Sequence, residues 1–356
     1  MVVCRLLLIG SSAGAALTLL SAGAFAQRDL AVHSAAEPVE AGATRIVSFE
    51  KANPSRQRFG RLEFRGGLVL TSSSEKFGGF SDLVVAGDGR RFAAISDGGS
   101  WLSSEIIYDG TKPTGLANAQ LGPLLAMSGR ELEKKRDHDA EGMALLDGSL
   151  TRGTLLIAFE RNHRIGRFPV RDGTIFAPTG YIKLPADARR MKSNKGLEAV
   201  AVPLGGPHKG SILTIAERLV ESDGNHTGWL WSKDTPRRIA IRDIGEFDIT
   251  AAAALGDGAV IVLERRFRWA EGVKMRLRYL KSAALASGAV VDGETLFEAD
   301  MAYEIDNMEG LAIHAGARGE TVLTLLSDNN FNTYLQRTLL LQFTLLAEGL
   351  ADASAR

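Results

Sequence analysis

Apolar residues in this chain fall in short runs that come in pairs, and a glycine- or aspartate-rich turn separates the two members of each pair. The clearest pair lies at residues 196–219, GLEAVAVPLGGPHKGSILTIAERL, where one run opens at Glu198 and the second ends in Glu217-Arg218. The same plan recurs at 80–98 (FSDLVVA, then RRFAAISDG), 140–161 (AEGMALL, then GTLLIAFER), 247–265 (FDITAAAAL, then AVIVLER) and 308–329 (MEGLAI, then TVLTLLSDN). Within the second runs both faces are apolar. In LLIAFE, Leu156 and Ala158 alternate with Leu155, Ile157 and Phe159. That pattern predicts strands buried on two sides, as in a blade packed between two others.

The leading acids of the five hairpins, Asp82, Glu141, Glu198, Asp248 and Glu309, are spaced 59, 57, 50 and 61 residues apart. An all-β repeat of about this length is the signature of propeller blades. The pattern predicts an all-β propeller of five or six antiparallel blades, the wide last gap leaving room for a sixth. More polar runs between hairpins (RIGRFPV and TGYIKL, WLWS and RRIAI, MRLRYLKS) read as outer strands. Residues 61–72 and 338–346 read as strands with no hairpin partner in sequence. Pairing strands from the two chain ends closes a ring, so residues 62–71 are expected to complete the blade that holds Glu309. Short helices are expected near Arg130–Arg136 and within 185–196.

Composition is ordinary for a globular protein, with 45% hydrophobic and 24% charged residues. Lys plus Arg and Asp plus Glu each number 42. This balance predicts no nucleic-acid partner and no polybasic membrane patch. Residues 1–26 read as a signal peptide: Arg5, an apolar stretch from Leu6 to Leu20, and Ala24-Phe25-Ala26 before the cleavage point. The expectation is a periplasmic or secreted protein with no stable membrane insertion after cleavage. Residues 27–43 read as a disordered leader, and 44–350 as one propeller domain. The single cysteine, Cys4, lies inside the signal, so the mature chain has neither disulfide nor thiolate chemistry.

Rotational repetition places equivalent residues in rings around the axis. One candidate ring opens the first strands (Asp82, Glu141, Glu198, Glu309, with Asp248 shifted). The other ends the second strands (Asp97, Glu160, Glu217, Glu264, Asp328). Carboxylates crowded at a channel mouth repel one another and resist desolvation, and a hard divalent cation removes that cost. The expected cofactor is therefore a divalent cation, Ca²⁺, with these acids other than Asp248 as ligands. The alternative is that the acids bond backbone amides or neighbouring arginines. Three hairpins end in Glu-Arg, so Arg161, Arg218 and Arg265 are candidates to hold a small anionic substrate. The loop Asp328-Asn329-Asn330-Phe331-Asn332 has the opening spacing of a calcium loop, without its glycine or its final Glu.

Beyond the signal segment no G-x-S-x-G, H-E-x-x-H, Walker A or G-x-G-x-x-G segment occurs, and the histidines lack zinc spacing. The segments GGFSDLVV…FAAISDGG, DAEGMALL…LIAFERNHRI, NKGLEAVAV…LTIAERL and NMEGLAI…LLSDNNFN together resemble the phytase-like family, labelled "esterase-like activity of phytase". The resemblance spans roughly residues 60–345 and implies an exported bacterial propeller with hydrolase activity. The Asp-Ala-x-Asp-Pro-Ala motif of secreted propeller phytases is absent, which puts phytic acid in doubt as substrate. Two functions are carried forward. One is metal-dependent hydrolysis of a phosphate or carboxylate ester, with Glu198 and Glu141 as catalytic acids beside the three arginines. The other is a non-catalytic binding propeller with structural carboxylates. An enzyme should keep an acid without a protein partner. A binding module should show paired acids and an aromatic rim drawn from Trp101, Trp229, Trp231 or Trp269.

Overall fold

The computed structural model describes residues 36–347, apart from 221–223, 234, 287 and 289. The signal peptide expected at 1–26 lies outside the described residues. No helix among those described is long and apolar enough to cross a membrane.

Among the described residues twenty-five strands form five separate sheets, and these are the blades of a propeller. Blade 1 runs outward from Phe80–Val85 through Arg91–Ser96 and Ser100–Asp109 to Lys112–Pro123. Blade 2 runs from Ala140–Gly148 through Arg152–Phe159 to Arg164–Arg171, which carries two short outer strands. Blade 3 comprises Leu197–Ala201, Ile212–Val220, His226–Ser232 and Thr235–Ile241; blade 4 comprises Asp248–Ala254, Val260–Arg268, Gly272–Leu280 and Glu294–Ala299. Blade 5 runs from Asn307–Ala315 through Thr321–Asp328 and Thr338–Leu345 to Leu62–Thr71. The innermost strands pack neighbour on neighbour, and blade 5 returns to blade 1. Among the described residues the count is five, and no sixth sheet occupies the gap between Asp248 and Glu309.

Leu62–Thr71 pairs along its length with Thr338–Leu345, which closes the ring as the unpartnered runs predicted. Of the leader expected to be disordered at 27–43, residues 36–43 are described, and they contribute to two strands. Glu37–Pro38 pairs with the outer edge of blade 1, and Gly42–Ile46 pairs with the outer strand of blade 5. The arm thus laces the same two blades a second time. It is held there because both outer strands would otherwise expose unpaired backbone groups. Beyond it, Phe49 is fully buried among Phe59, Phe64, Phe297, Tyr303 and Phe343, with ring centroids 4.9–6.0 Å away. The expected helices are short: Lys135–His138 forms one α-turn, and Ala186–Arg190 a 3-10 turn.

Each inner strand carries one β-bulge where it begins, at Ser81, Glu141, Glu198, Thr250 and Glu309. A bulge leaves one residue unpaired and re-aims its side chain. The residue after it meets the next blade at very close range. A Cβ at Gly142 would lie 2.0 Å from the Glu198 carbonyl oxygen, and one at Gly310 would lie 3.1 Å from the Asp82 Cα. This explains the recurring Glu-Gly pair: the Glu occupies the bulge, and the Gly admits the neighbouring backbone.

Blade 1 alone places a long polar residue at the close-contact position, Asp82. It is fully buried. Its carboxylate accepts amide hydrogens from Leu83 (2.8 Å), from Met143 of blade 2 (2.7 Å) and from Leu311 of blade 5 (3.2 Å). One side chain therefore ties three blades through inner-strand amides that have no ladder partner. Removing it orphans buried donors at about 1–3 kcal/mol each. Asp82→Ala is expected to lower the unfolding free energy by roughly 2–5 kcal/mol in denaturant titration. Asp82→Asn, which keeps one acceptor oxygen, is expected to lose less.

Candidate metal centre

The bulges of blades 2, 3 and 5 present Glu141, Glu198 and Glu309 at one mouth of the channel. The matching residues of blades 1 and 4 are Ser81 and Thr250. Beside each bulge the second strand contributes one further residue: Asp97, Glu160, Glu217, Arg265 and Asp328 in blades 1 to 5. Ligand oxygens of Asp139, Glu141 and Glu160 lie within 4.8 Å of one another, and so do those of Glu160, Glu198 and Glu217. Glu160 belongs to both groups. These buried acidic groups can bind a metal ion.

The partners divide the acids into two kinds. Glu160 Oε1 accepts the Gly196 N–H at 2.5 Å, and Glu217 Oε1 meets Lys195 Nζ at 2.5 Å. Glu309 takes Asn307 Nδ2 (2.8 Å) and Arg265 Nη1 (3.2 Å), while Asp97 Oδ2 takes Lys135 Nζ (2.9 Å). Asp139 is bracketed by Lys135 at 3.1 Å and by Arg161. Glu141 and Glu198 have neither a hydrogen bond nor an ion pair among the described residues, although Glu198 is only 8% exposed. With Asp139 and Asp248 included, nine carboxylates face five cations (Lys135, Arg161, Lys195, Arg218 and Arg265). The fully ionised mouth carries an excess of four negative charges.

The electrostatics follow from this crowding. Burial first, then repulsion from Glu309, Glu160, Asp139 and Asp97, pushes the Glu141 carboxyl well above its ordinary value. Burial, followed by Glu217, Glu141, Glu309 and Glu160, does the same to Glu198. Burial and nearby acids raise Glu160 to about 7 despite its amide bond from Gly196. Burial and Glu309 raise Asp328 to about 8.

Several residues read as ring members stand elsewhere. Asp82 lies one residue past its bulge, and its oxygens are consumed by backbone amides. Glu264 is fully buried inside blade 4 between Arg276 (2.6 Å) and Arg278. Its neighbour Arg265 takes the ring position instead. None of the three candidate arginines is free of acids: Arg161 meets Asp139, Arg218 lies 3.5 Å from Asp248, and Arg265 meets Glu309. The calcium-like loop satisfies itself. Asp328 Oδ1 accepts the Asn330 amide at 2.7 Å, and Asn329 Oδ1 accepts those of Gly79 and Phe331. His138 and His163 are both engaged with backbone carbonyls, of Asp97 and Lys192 respectively. Asp139, Lys135 and Lys195 escaped the sequence reading. The signal for Asp139 was its place two residues before a bulge, which it shares with Asp248 and Asn307.

A carboxyl raised in the folded state above its unfolded value binds its proton more tightly when folded. That stability is present below the unfolded pKa of about 4.5 and is lost as pH rises through the folded value. For Glu160 the window runs from about 4.5 to about 7, and for Asp328 from about 3.8 to about 8. Chelated protein is therefore expected to melt at a higher temperature near the acid end of these windows than near their upper end. A midpoint that rises with pH across the windows would contradict the crowding described here.

The model of the phytase-like family, described as esterase-like activity of phytase, matches residues 75–331. No curated protein matches the chain. Among solved structures the chain is similar to U3-55K (12% identity, TM-score 0.40, 80% of this chain and 98% of that one). It is also similar to the RRP9 WD40 repeats (12%, 0.40, 82% and 99%) and to the β-propeller domain of Cps50 (Swd1) from Myceliophteria thermophila (10%, 0.36, 87% and 100%). The fold assignment rests on the five sheets themselves rather than on these likenesses. The family match covers well over half of the sequence, and the chain belongs to the phytase-like family.

Proposed function

We propose that this protein is an exported, metal-dependent hydrolase that acts on a phosphate or carboxylate ester at the carboxylate-lined mouth of its channel. Family membership supports a hydrolase-type reading. The observation that carries the metal dependence is the pair Glu141 and Glu198. Each is crowded by like charges and has no partner among the described residues. A structural carboxylate would have found a donor, because leaving one unpaired in such a site is costly.

The donor set fits a hard cation. It is all oxygen, irregular in arrangement and in charge excess, which suits Ca²⁺ with its 6–8 oxygen ligands better than a small octahedral ion. Asp139, Glu141 and Glu160 would hold it as one group, or Glu160, Glu198 and Glu217 as the other. When bound, the cation would supply polarisation of the ester oxygen and a water of lowered pKa. The protein's own part is positional. Glu160 and Lys195 lock the Gly196 turn that precedes Glu198. Arg161 and Arg218, 37% and 49% exposed, keep donor capacity toward solvent for an anionic group. Arg265 is committed to Glu309 and serves the mouth as a fixed positive charge.

Binding without catalysis remains the second reading, and one observation favours it: Trp269 stands 94% exposed on the same face. Thermal unfolding after chelation, with Ca²⁺, Mg²⁺ or Mn²⁺ added back, separates the readings. A saturable rise is expected with Ca²⁺, on the order of 2.7 kcal/mol at a hundredfold excess over Kd. Glu198→Gln is expected to act in two opposite directions. It should stabilise the chelated protein by relieving repulsion, and it should shrink the Ca²⁺-induced rise. Hydrolysis of ester substrates by the same variant is expected to fall about 100-fold or more. A cation response and hydrolysis both equal to the parent's, with folding intact, would remove Glu198 from the site.

A further inference from the structure

The mouth face carries a second feature that the hydrolase reading does not use. Thirteen large apolar side chains stand exposed among the described residues. Six of them lie on the mouth-side loops of the two adjacent blades 4 and 5: Phe267, Trp269, Met301, Phe331, Tyr334 and Leu335. In blade 4 the hairpin of Val260–Arg268 and Gly272–Leu280 stays paired beyond the ring position of Arg265, through Arg266, Phe267 and Arg268. Three further residues raise its tip roughly 10 Å above the mouth. Trp269 is at the apex, edge-on to Phe267 with centroids 5.8 Å apart, and Met301 lies beside Gly272 at the foot of the same tip. In blade 5, Tyr334 and Leu335 are 98% and 81% exposed.

These tips are built rather than frayed. Arg268 pairs with Glu246 (2.6 Å) and Glu271 (3.1 Å), Arg266 with Glu271 (2.6 Å), and Lys274 with Glu271 (2.8 Å). The blade 5 loop is held by amides of Leu335 and Gln336 donated to the Asn332 carbonyl, and by Asn330 Nδ2 on Gln336. Holding Trp, Tyr and Leu almost wholly in water on rigid tips opposes the hydrophobic effect unless something covers them. Phe331 lines a pocket beside blade 1, whereas the blade 4 tip and the Tyr334–Leu335 turn are separate projections, which suit a fluid surface better than a flat protein interface. Trp and Tyr are the side chains that settle at a lipid–water boundary, where an apolar body and a polar tip are both satisfied. The charges behind the blade 4 tip are three cations against two carboxylates. They largely neutralise one another, which limits the cost of approaching an apolar phase.

We propose that the blade 4 and blade 5 tips are a peripheral membrane-docking device, lying on a bilayer rather than spanning it and turning the carboxylate mouth toward the headgroups. Trp101, Trp229 and Trp231 are at most 1% exposed, so collisional quenching by acrylamide reads Trp269 selectively. The test uses the exported form from Gln27, in chelator, with zwitterionic phosphatidylcholine vesicles, which do not repel the acidic mouth. The expected result is co-flotation with vesicles, a blue shift of the exposed emission and loss of its acrylamide quenching. Trp269→Ser and the double variant Tyr334→Ser/Leu335→Ser are expected to keep the parent's thermal midpoint and to partition about tenfold less. Three outcomes would overturn the proposal: no flotation with quenching unchanged by vesicles, flotation equal in parent and both variants, or protection of Trp269 by raised protein concentration alone. The last would assign the tips to a second copy of the chain.

Discussion

Like charges held together in a confined mouth are the constraint from which the rest of this structure follows. Glu141, Glu198 and Glu309 sit on bulges of three inner strands, and Asp97, Glu160, Glu217 and Asp328 stand beside them. Such an arrangement is unfavourable in isolation, since each ionised carboxylate raises the cost of ionising the next. It persists because the ring is over-determined elsewhere. Apolar clusters fill the spaces between blades, the two chain ends share blade 5, and the N-terminal arm laces blades 1 and 5 again. The mouth is a locally strained charge assembly held by a scaffold whose stability comes from other contacts.

Blades 1 and 4 depart from the repeat, and each departure has a physical reading. Blade 1 places Ser81 on the bulge and moves its acid one residue inward. Asp82 there becomes a clamp on amides that the inner edges of a propeller leave without partners. Blade 4 places Thr250 on the bulge and Arg265 in the second ring, so its sector of the mouth carries a positive charge opposite the acids of the others. The other four cations of the mouth, Lys135, Arg161, Lys195 and Arg218, stand on blades 2 and 3 or on the loops that lead into them.

Much of this was legible along the chain. The paired apolar runs, their spacing and the turn glycines determined an all-β ring. The two unpartnered runs determined its closure, and the recurring Glu-Gly and Glu-Arg pairs marked the mouth. Those features are local, because strand formation and tight turns depend on residues close in sequence. The chain also showed that acids would be plentiful at strand ends without showing which of them would lack a donor. Lys135 reaching Asp97 across 38 positions and Lys195 reaching Glu217 across 22 are contacts of the assembled ring.

The sharpest division lies in blades 1 and 4. By itself the sequence determined which residue types stand near each strand end. The tertiary structure decided which neighbour faces the channel. A strand turns successive side chains to opposite faces, so a shift of one residue in the bulge exchanges a mouth ligand for a buried one. Asp82 against Ser81, and Glu264 against Arg265, are decided by that single step. The bulge is set by how closely adjacent inner strands approach, which depends on all five blades at once.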